Sequence, residues 1–217
     1  MTEESKKRVI VYVDGFNFYY GIRTFHWKSF YWLDIVKFFN SFLKGNEELV
    51  IVKYFSAVPM DSFKAQNQSV LFQANKLNPK FELILGKYKP KNITCPHCSS
   101  IINSFEEKKT DVNISIGMVN DVVENNCDIT VLVSGDSDLL PPLELIKKIN
   151  PSHKIYIFYP PCRRNYAFYS IANVTKNLEK AHAIFMKSML PDSIKISGEI
   201  ELKRPANWIT SPKVPKS

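Results

Sequence analysis

The sequence predicts an α/β protein built on a central, mainly parallel sheet, and three observations carry that expectation. Unbroken apolar, β-branched runs such as Val9-Ile10-Val11 and Val131-Leu132-Val133 lack the polar alternation of a half-exposed strand, so they suit strands covered on both faces. These runs alternate with stretches of helical period, the order of βαβ units with right-handed crossovers. Both runs stop at acids, Asp14 in the first and Asp136 and Asp138 in the second. Acidic groups therefore fall at the carboxyl ends of strands, the edge where open α/β sheets form their sites.

Residues 8–14 read as the first strand, with Gly15 allowing a tight turn into a helix that runs from Asn17 to about Phe25. Trp32, Ile35, Val36, Phe39 and Leu43 recur at helical spacing over 31–43, and Gly45 stops that helix. A strand over 49–58, a turn and cap at Pro59-Met60-Asp61-Ser62, a helix over 63–77 and a strand over 81–87 follow. Residues 88–109 then interrupt the pattern as a hairpin-like insertion with Cys95-Pro96-His97-Cys98 at its tip. Thr110 reads as the N-cap of a helix over 111–125, with Ile114, Met118 and Val122 on one face. A fourth strand over 129–134, a helix over 139–149 and a fifth strand over 153–159 complete the regular part. Short helices are expected near 163–171 and 176–190, so that one domain spans 8–190 and residues 191–217 form a basic, Pro-containing, partly disordered extension.

The totals narrow the function classes. At 217 residues and 45% hydrophobic, the chain suits one α/β domain with a real core. No apolar run approaches the ~18–20 residues that span a bilayer. The start Met1-Thr2-Glu3-Glu4-Ser5-Lys6-Lys7 is polar, and four cysteines make no secreted disulfide framework. A cytoplasmic protein without membrane association is expected. A net charge of +8 favours an anionic partner, nucleic acid before a membrane, with plain solubility charge as the alternative.

The acids at the strand ends carry the chemistry. Adjacent parallel strands end about 5 Å apart, so Asp14, Asp136 and Asp138 can converge there, joined by Asp111 at the start of a helix. Clustered carboxylates repel one another unless a proton or a hard divalent cation neutralises them, and Mg²⁺ or Mn²⁺ suits such oxygen ligands. Each acid also has a plain reading. Asp111 can complement a helix N-terminus, and Asp136 and Asp138 can serve as turn and cap residues.

Val13-Asp14-Gly15-Phe16-Asn17, Lys109-Thr110-Asp111-Val112-Asn113 and Ser134-Gly135-Asp136-Ser137-Asp138-Leu139-Leu140-Pro141 resemble, in order and spacing, the three signature blocks of the NYN domain family. That family is LabA-like and lies within the PIN-like ribonuclease superfamily. The resemblance extends from about residue 8 to about 160. It implies a PIN-like three-layer α/β/α fold and a metal-dependent endoribonuclease, or an RNA-binding module with little catalysis on the same scaffold. Asp14, Asp111, Asp136 and Asp138 would hold Mg²⁺ or Mn²⁺, with Asn17 and Ser134 positioning the site or the scissile phosphate. Many relatives carry a further acid six positions after the Asp111 equivalent, where this chain has Gly117, and Asp121 is only a partial substitute; this leaves one ion or two open. The reaction implied is attack by an activated water in line with the departing oxygen, with Lys108 or Lys109 near the phosphate and no covalent nucleophile.

Lys87, Lys89, Lys91, Lys108 and Lys109, with Tyr88 among them, suit a single-stranded RNA backbone, or simply a solvated charged hairpin. Arg163 and Arg164 can reach phosphates from the same edge of the sheet. Phe16, Phe18, Tyr19 and Tyr20 read as core and cleft wall rather than as base-stacking residues. Cys95 and Cys98 have the spacing of half a structural Zn²⁺ site. Completion would need a distant ligand or a second chain, as in a homodimer; a reduced pair at a hairpin tip is the alternative.

Overall fold

The computed structural model describes residues 5–197 and 200–209. In chain order the elements are β1 (Lys7–Asp14), α1 (Gly15–Thr24), α2 (Ile35–Asn40), β2 (Glu47–Ser56), α3 (Ser62–Asn75), β3 (Phe81–Leu85), β4 (Lys87–Thr94), β5 (Ile101–Lys108) and α4 (Thr110–Val123). They continue with β6 (Ile129–Val133), α5 (Leu140–Ile149), β7 (Lys154–Tyr159), β8 (Val174–Asn177), α6 (His182–Lys187), β9 (Ser193–Ser197) and β10 (Ile200–Lys203).

The central sheet has six parallel strands in the order β3-β2-β1-β6-β7-β8. Alternation along β1 divides the core in two. Val9, Val11 and Val13 pack on one face with Phe18, Phe38, Phe39 and Phe185, the side of α1, α2 and α6. Ile10 and Tyr12 pack on the other with Ile114, Met118, Leu143 and Ile146, the side of α4 and α5. The expected α/β/α layering is therefore present, and the continuous apolar runs are those covered twice.

Three expectations change. The helix over 31–43 is confined to α2, because Asp34 caps it by accepting from Lys37 N–H at 2.9 Å and Trp32 lies ahead of that cap. The expected helix near 163–171 is only a 3₁₀ turn at Tyr166–Phe168, and the expected helix near 176–190 is reduced to α6, its first two residues ending the edge strand β8. β9 and β10 pair antiparallel, and buried Trp208 packs in a cluster with Trp32, Ala74 and Leu202, so this part of the extension is integral to the body. Residues 210–217, the end of the extension expected to be partly disordered, lie outside the described residues.

The β4–β5 hairpin bears out the insertion, with its cysteines at the turn. Thr110 is the first residue of α4 rather than its cap. The Glu107 carboxylate accepts from both the Thr110 N–H and its hydroxyl.

Phe185 on α6 is fully buried against Phe18, Trp27, Phe30 and Phe38. Phe185→Ala should therefore cost about 3–5 kcal/mol of unfolding free energy, measured by urea denaturation. A loss below ~1 kcal/mol would mean that α6 does not close this face.

Candidate active site

The sheet order reverses direction between β1 and β6, since β2 and β3 follow outward on one side and β7 and β8 on the other. Val13 pairs with Val133, which sets Asp14 and Ser134 side by side just past the carboxyl ends of the two strands. A crevice at such a reversal is where open α/β sheets bind ligands.

Asp14 is at once the last residue of β1 and the N-cap of α1. One carboxylate oxygen accepts from Asn17 N–H at 3.0 Å and the other from Ser134 Oγ at 2.8 Å. Ser134 Oγ in turn accepts from Asp136 N–H at 3.0 Å, and Asn17 Oδ1 accepts from Gly135 N–H at 3.0 Å. The two signature turns are thus tied together by reciprocal bonds. Asp136 closes its own turn by accepting from Asp138 N–H at 3.0 Å. Both turns need glycine. A Cβ on Gly135 would lie 1.7 Å from Arg163 O, and one on Gly15 would lie 2.4 Å from Phe55 O.

Asp14 is 4% exposed, and burial pushes its carboxyl up to about 6 against the pull of its two hydrogen bonds, with the charges of Asp111 and Asp136 adding to the rise. Burial also raises Asp111, with help from Asp136, Glu107 and Asp138. Asp111 and Asp138 are exposed at the rim. The four acids therefore form one electrostatic group, in which hydrogen bonds through Ser134 Oγ and the backbone N–H groups of Asp136 and Asp138 link Asp14, Asp136 and Asp138. Among the described residues no three His, Cys, Asp or Glu side chains are gathered into a ready-made metal cage. The chemistry of the donors fits a hard divalent cation: Asp14 keeps a lone pair on each oxygen beyond its two bonds, and a cation would offset the cost of its buried charge and its repulsion from Asp111 and Asp136.

Asp121 does not stand in for an acid at position 117. It is buried on the inner face of α4, where Tyr12 OH donates to it, Lys53 Nζ lies 2.6 Å away and Asn126 Nδ2 donates at 3.1 Å.

The hairpin lysines divide from the aromatic residues by strand alternation. Lys87, Lys89 and Lys91 share one face, across from Lys108 and Glu106, while Tyr88, Phe105 and Glu107 occupy the other. Glu106 pairs with Lys91 at 3.3 Å and with Lys108 at 2.9 Å. Tyr88 meets Phe16 edge-on at 6.1 Å, so the aromatic face turns inward and the lysine face outward. Lys109, at φ 82°, takes a left-handed conformation at the entry to α4.

Arg163 and Arg164 reach the site. With Asn17, Gly135, Asp136 and Tyr166 they line a basin of about 480 Å³. Buried Arg163 Nε has no hydrogen-bond partner among the described residues. Arg164 stacks over Tyr166 at 5.2 Å and Tyr169 at 5.5 Å. Sequence reasoning missed Asn165, whose Nδ2 donates to Gly135 O at 2.9 Å; its only signal was a polar residue following two arginines. Cys95 and Cys98 hold a tight turn in which Ser99 N–H donates to Cys95 O at 2.9 Å. Cys127 is buried and Cys162 lines the basin, so neither completes that pair.

A family model described as the NYN domain matches residues 8–175. The chain belongs to the NYN domain family. Its three signature blocks lie on β1 and α1, the start of α4, and the β6 turn, and the architecture is that of the PIN-like superfamily with its nuclease-like fold. This NYN chain is 29% identical to the 6-hydroxy-3-succinoylpyridine 3-monooxygenase HspA of Pseudomonas putida (strain DSM 28022 / S16), in a match covering 64% of this chain and 55% of that protein. It thus spans about half the length of that curated relative. A crystal structure of a protein of unknown function from Vibrio parahaemolyticus RIMD 2210633 superposes with a TM-score of 0.53 at 20% identity, covering 81% of this chain and 95% of the other, a likeness of fold alone.

Native Asp14 holds its proton to higher pH than an unfolded carboxyl would, so the native state has this advantage in full below about pH 4 and loses it as pH rises through about 6. In chelator at pH 8 the charged group costs on the order of 1–3 kcal/mol. Asp14→Asn should then melt above the parent at pH 8, with the gap closing towards pH 4. A gap independent of pH would show that Asp14 is not held against its charge.

Proposed function

We propose that this NYN protein is a metal-dependent endoribonuclease. The observation that carries the reading is the Asp14–Ser134–Asp136 network at the strand-order reversal: a carboxylate whose charge burial makes costly, with Asp111 and Asp138 at the rim. Mg²⁺ or Mn²⁺ held by Asp14 and Asp136, with Asp111 and Asp138 completing the acidic set, would supply Lewis-acid stabilisation of the phosphoryl oxygens and a more acidic water.

The protein's own groups do the positioning. Ser134 and the Asn17 N–H fix both oxygens of Asp14, so its lone pairs keep one direction. Asn17 and Asn165 pin Gly135 from its N–H and its carbonyl, which holds the Asp136 turn against the sheet edge. Arg163 and Arg164, across the basin from Asp136, offer fixed positive charge to a phosphate and to the charge that grows on it. A carboxylate of the group not engaged by the cation would be the base that takes a proton from the attacking water.

The monooxygenase name of the Pseudomonas relative points to a different chemistry, on a protein matched over about half its length. Hydroxylation requires an electron donor and an oxidant, for which this hard, acidic donor set is ill suited, whereas it suits phosphodiester hydrolysis.

Asp136→Asn should reduce Mn²⁺- or Mg²⁺-dependent cleavage of RNA by roughly 100-fold or more while RNA binding persists, read from gel-resolved cleavage and anisotropy side by side. Binding with no cleavage by the parent protein in either metal would instead assign an RNA-binding module. Turnover of a hydroxypyridine with RNA left intact would replace hydrolysis altogether.

A further inference from the structure

A second, larger depression adjoins the acidic site. Gly15 and Phe16, the residues that follow Asp14, line a groove of about 1000 Å³, while Asn17 lines the arginine basin; the first turn of α1 therefore borders both. The groove runs between α1, the start of α3 and the inward face of the β4–β5 hairpin, and Trp208 forms part of its wall. Its volume is at the upper end of small-ligand pockets, enough for an extended occupant.

The lining combines two residue types. Tyr19, Tyr20, Phe63, Tyr88 and Phe105 present aromatic surface, with Tyr20 43%, Phe105 47% and Phe63 58% exposed, far more than a core requires. Arg23, His26, Lys28 and Lys64 supply the basic groups, and Arg23 lies 5.8 Å from the centre of the Tyr20 ring. The acid in the lining, Asp61, is engaged as the cap of α3, accepting from Lys64 N–H at 2.9 Å. Exposed rings beside Arg23, Lys28 and Lys64, which have no ion-pair partner among the described residues, are complementary to planar bases on a polyanionic backbone, and stacking on such rings tolerates any base.

We propose that this groove takes the unstacked bases of a single-stranded RNA on one side of the acidic site, with the phosphates on the other side running to Arg163 and Arg164. The proposal rests on the nuclease reading above and adds to it where the bases and the phosphates of the strand lie on either side of the start of α1. Tyr19 and Tyr20 thereby become stacking residues, against the sequence reading of them as core and cleft wall.

The test uses the full chain carrying Asp136→Asn, so that RNA stays intact, and fluorescence anisotropy with two labelled probes of equal length: oligoadenylate, and an abasic ribose-phosphate oligomer. Tyr20→Ala and Phe63→Ala should each weaken oligoadenylate binding roughly tenfold and the abasic oligomer less than about twofold, and Tyr20→Trp should retain affinity. Arg23→Ala should weaken both probes and lower the salt slope by about 1. Equal weakening of both probes by the aromatic variants would overturn base stacking, as would unchanged binding. If the parent cuts oligoadenylate with Mn²⁺ while the aromatic variants bind it normally, the groove assignment fails and hydrolysis stands. If the parent neither binds nor cuts RNA, both readings fall.

Discussion

The site depends on one constraint: a carboxylate is held in a 4%-exposed position where two parallel strands end. Removing Asp14 from water raises its carboxyl to about 6, and two hydrogen bonds do not bring it back. Everything around it is arranged for that position. The Val13–Val133 pairing brings Ser134 within reach, Gly15 lets β2 approach closely enough to cover the turn, and Gly135 lets the loop after β7 press on the Asp136 turn. A helix cap alone would not need this enclosure, since Asp34 and Asp61 cap their helices from less buried positions by the same N–H contact. The burial of Asp14 therefore exceeds what capping α1 requires.

Much of this was legible because the relevant signals are local. The runs at Val9–Val13 and Ile129–Val133 are covered on both faces, so they read as strands without alternation, and the acids that end them announce the sheet edge. What was not legible depends on partners distant in sequence. β8, Val174-Thr175-Lys176-Asn177, has a single apolar residue and is a strand only because β7 offers it an edge. The β9–β10 pair reads as a basic tail until Trp208 is seen to pack near Trp32. On the insertion, composition mixed lysines with Tyr88, but a period of two residues places them on opposite faces, and only the inward face meets the site.

Helix α4 shows how position decides the role of an acid. Asp111 and Asp121 lie on the same helix, ten residues apart in sequence, and burial pushes both carboxyls upward. Asp121 has Lys53, Tyr12 and Asn126 around it, which together hold its carboxyl below the usual range, so it is a neutralised strut between sheet and helix. Asp111 faces Asp136, Glu107 and Asp138 with no such partners and stays above that range. Gly117, between them, leaves its surface to the Tyr12 and Phe55 rings, each 3.7 Å from where a Cβ would sit. An acid there would have pointed toward packed aromatic groups before it reached the acidic group at the strand ends.

The NYN scaffold thus presents two kinds of surface around one helix start: hard oxygen donors at the sheet edge, and aromatic rings with cations on the far side of α1. An aromatic wall accepts any planar ring, so the groove by itself does not select an RNA base over another flat heterocycle. The selective element is Asp14: a buried, elevated carboxylate beside other carboxylates attracts positive charge, which a hard cation brings and a neutral aromatic ring does not.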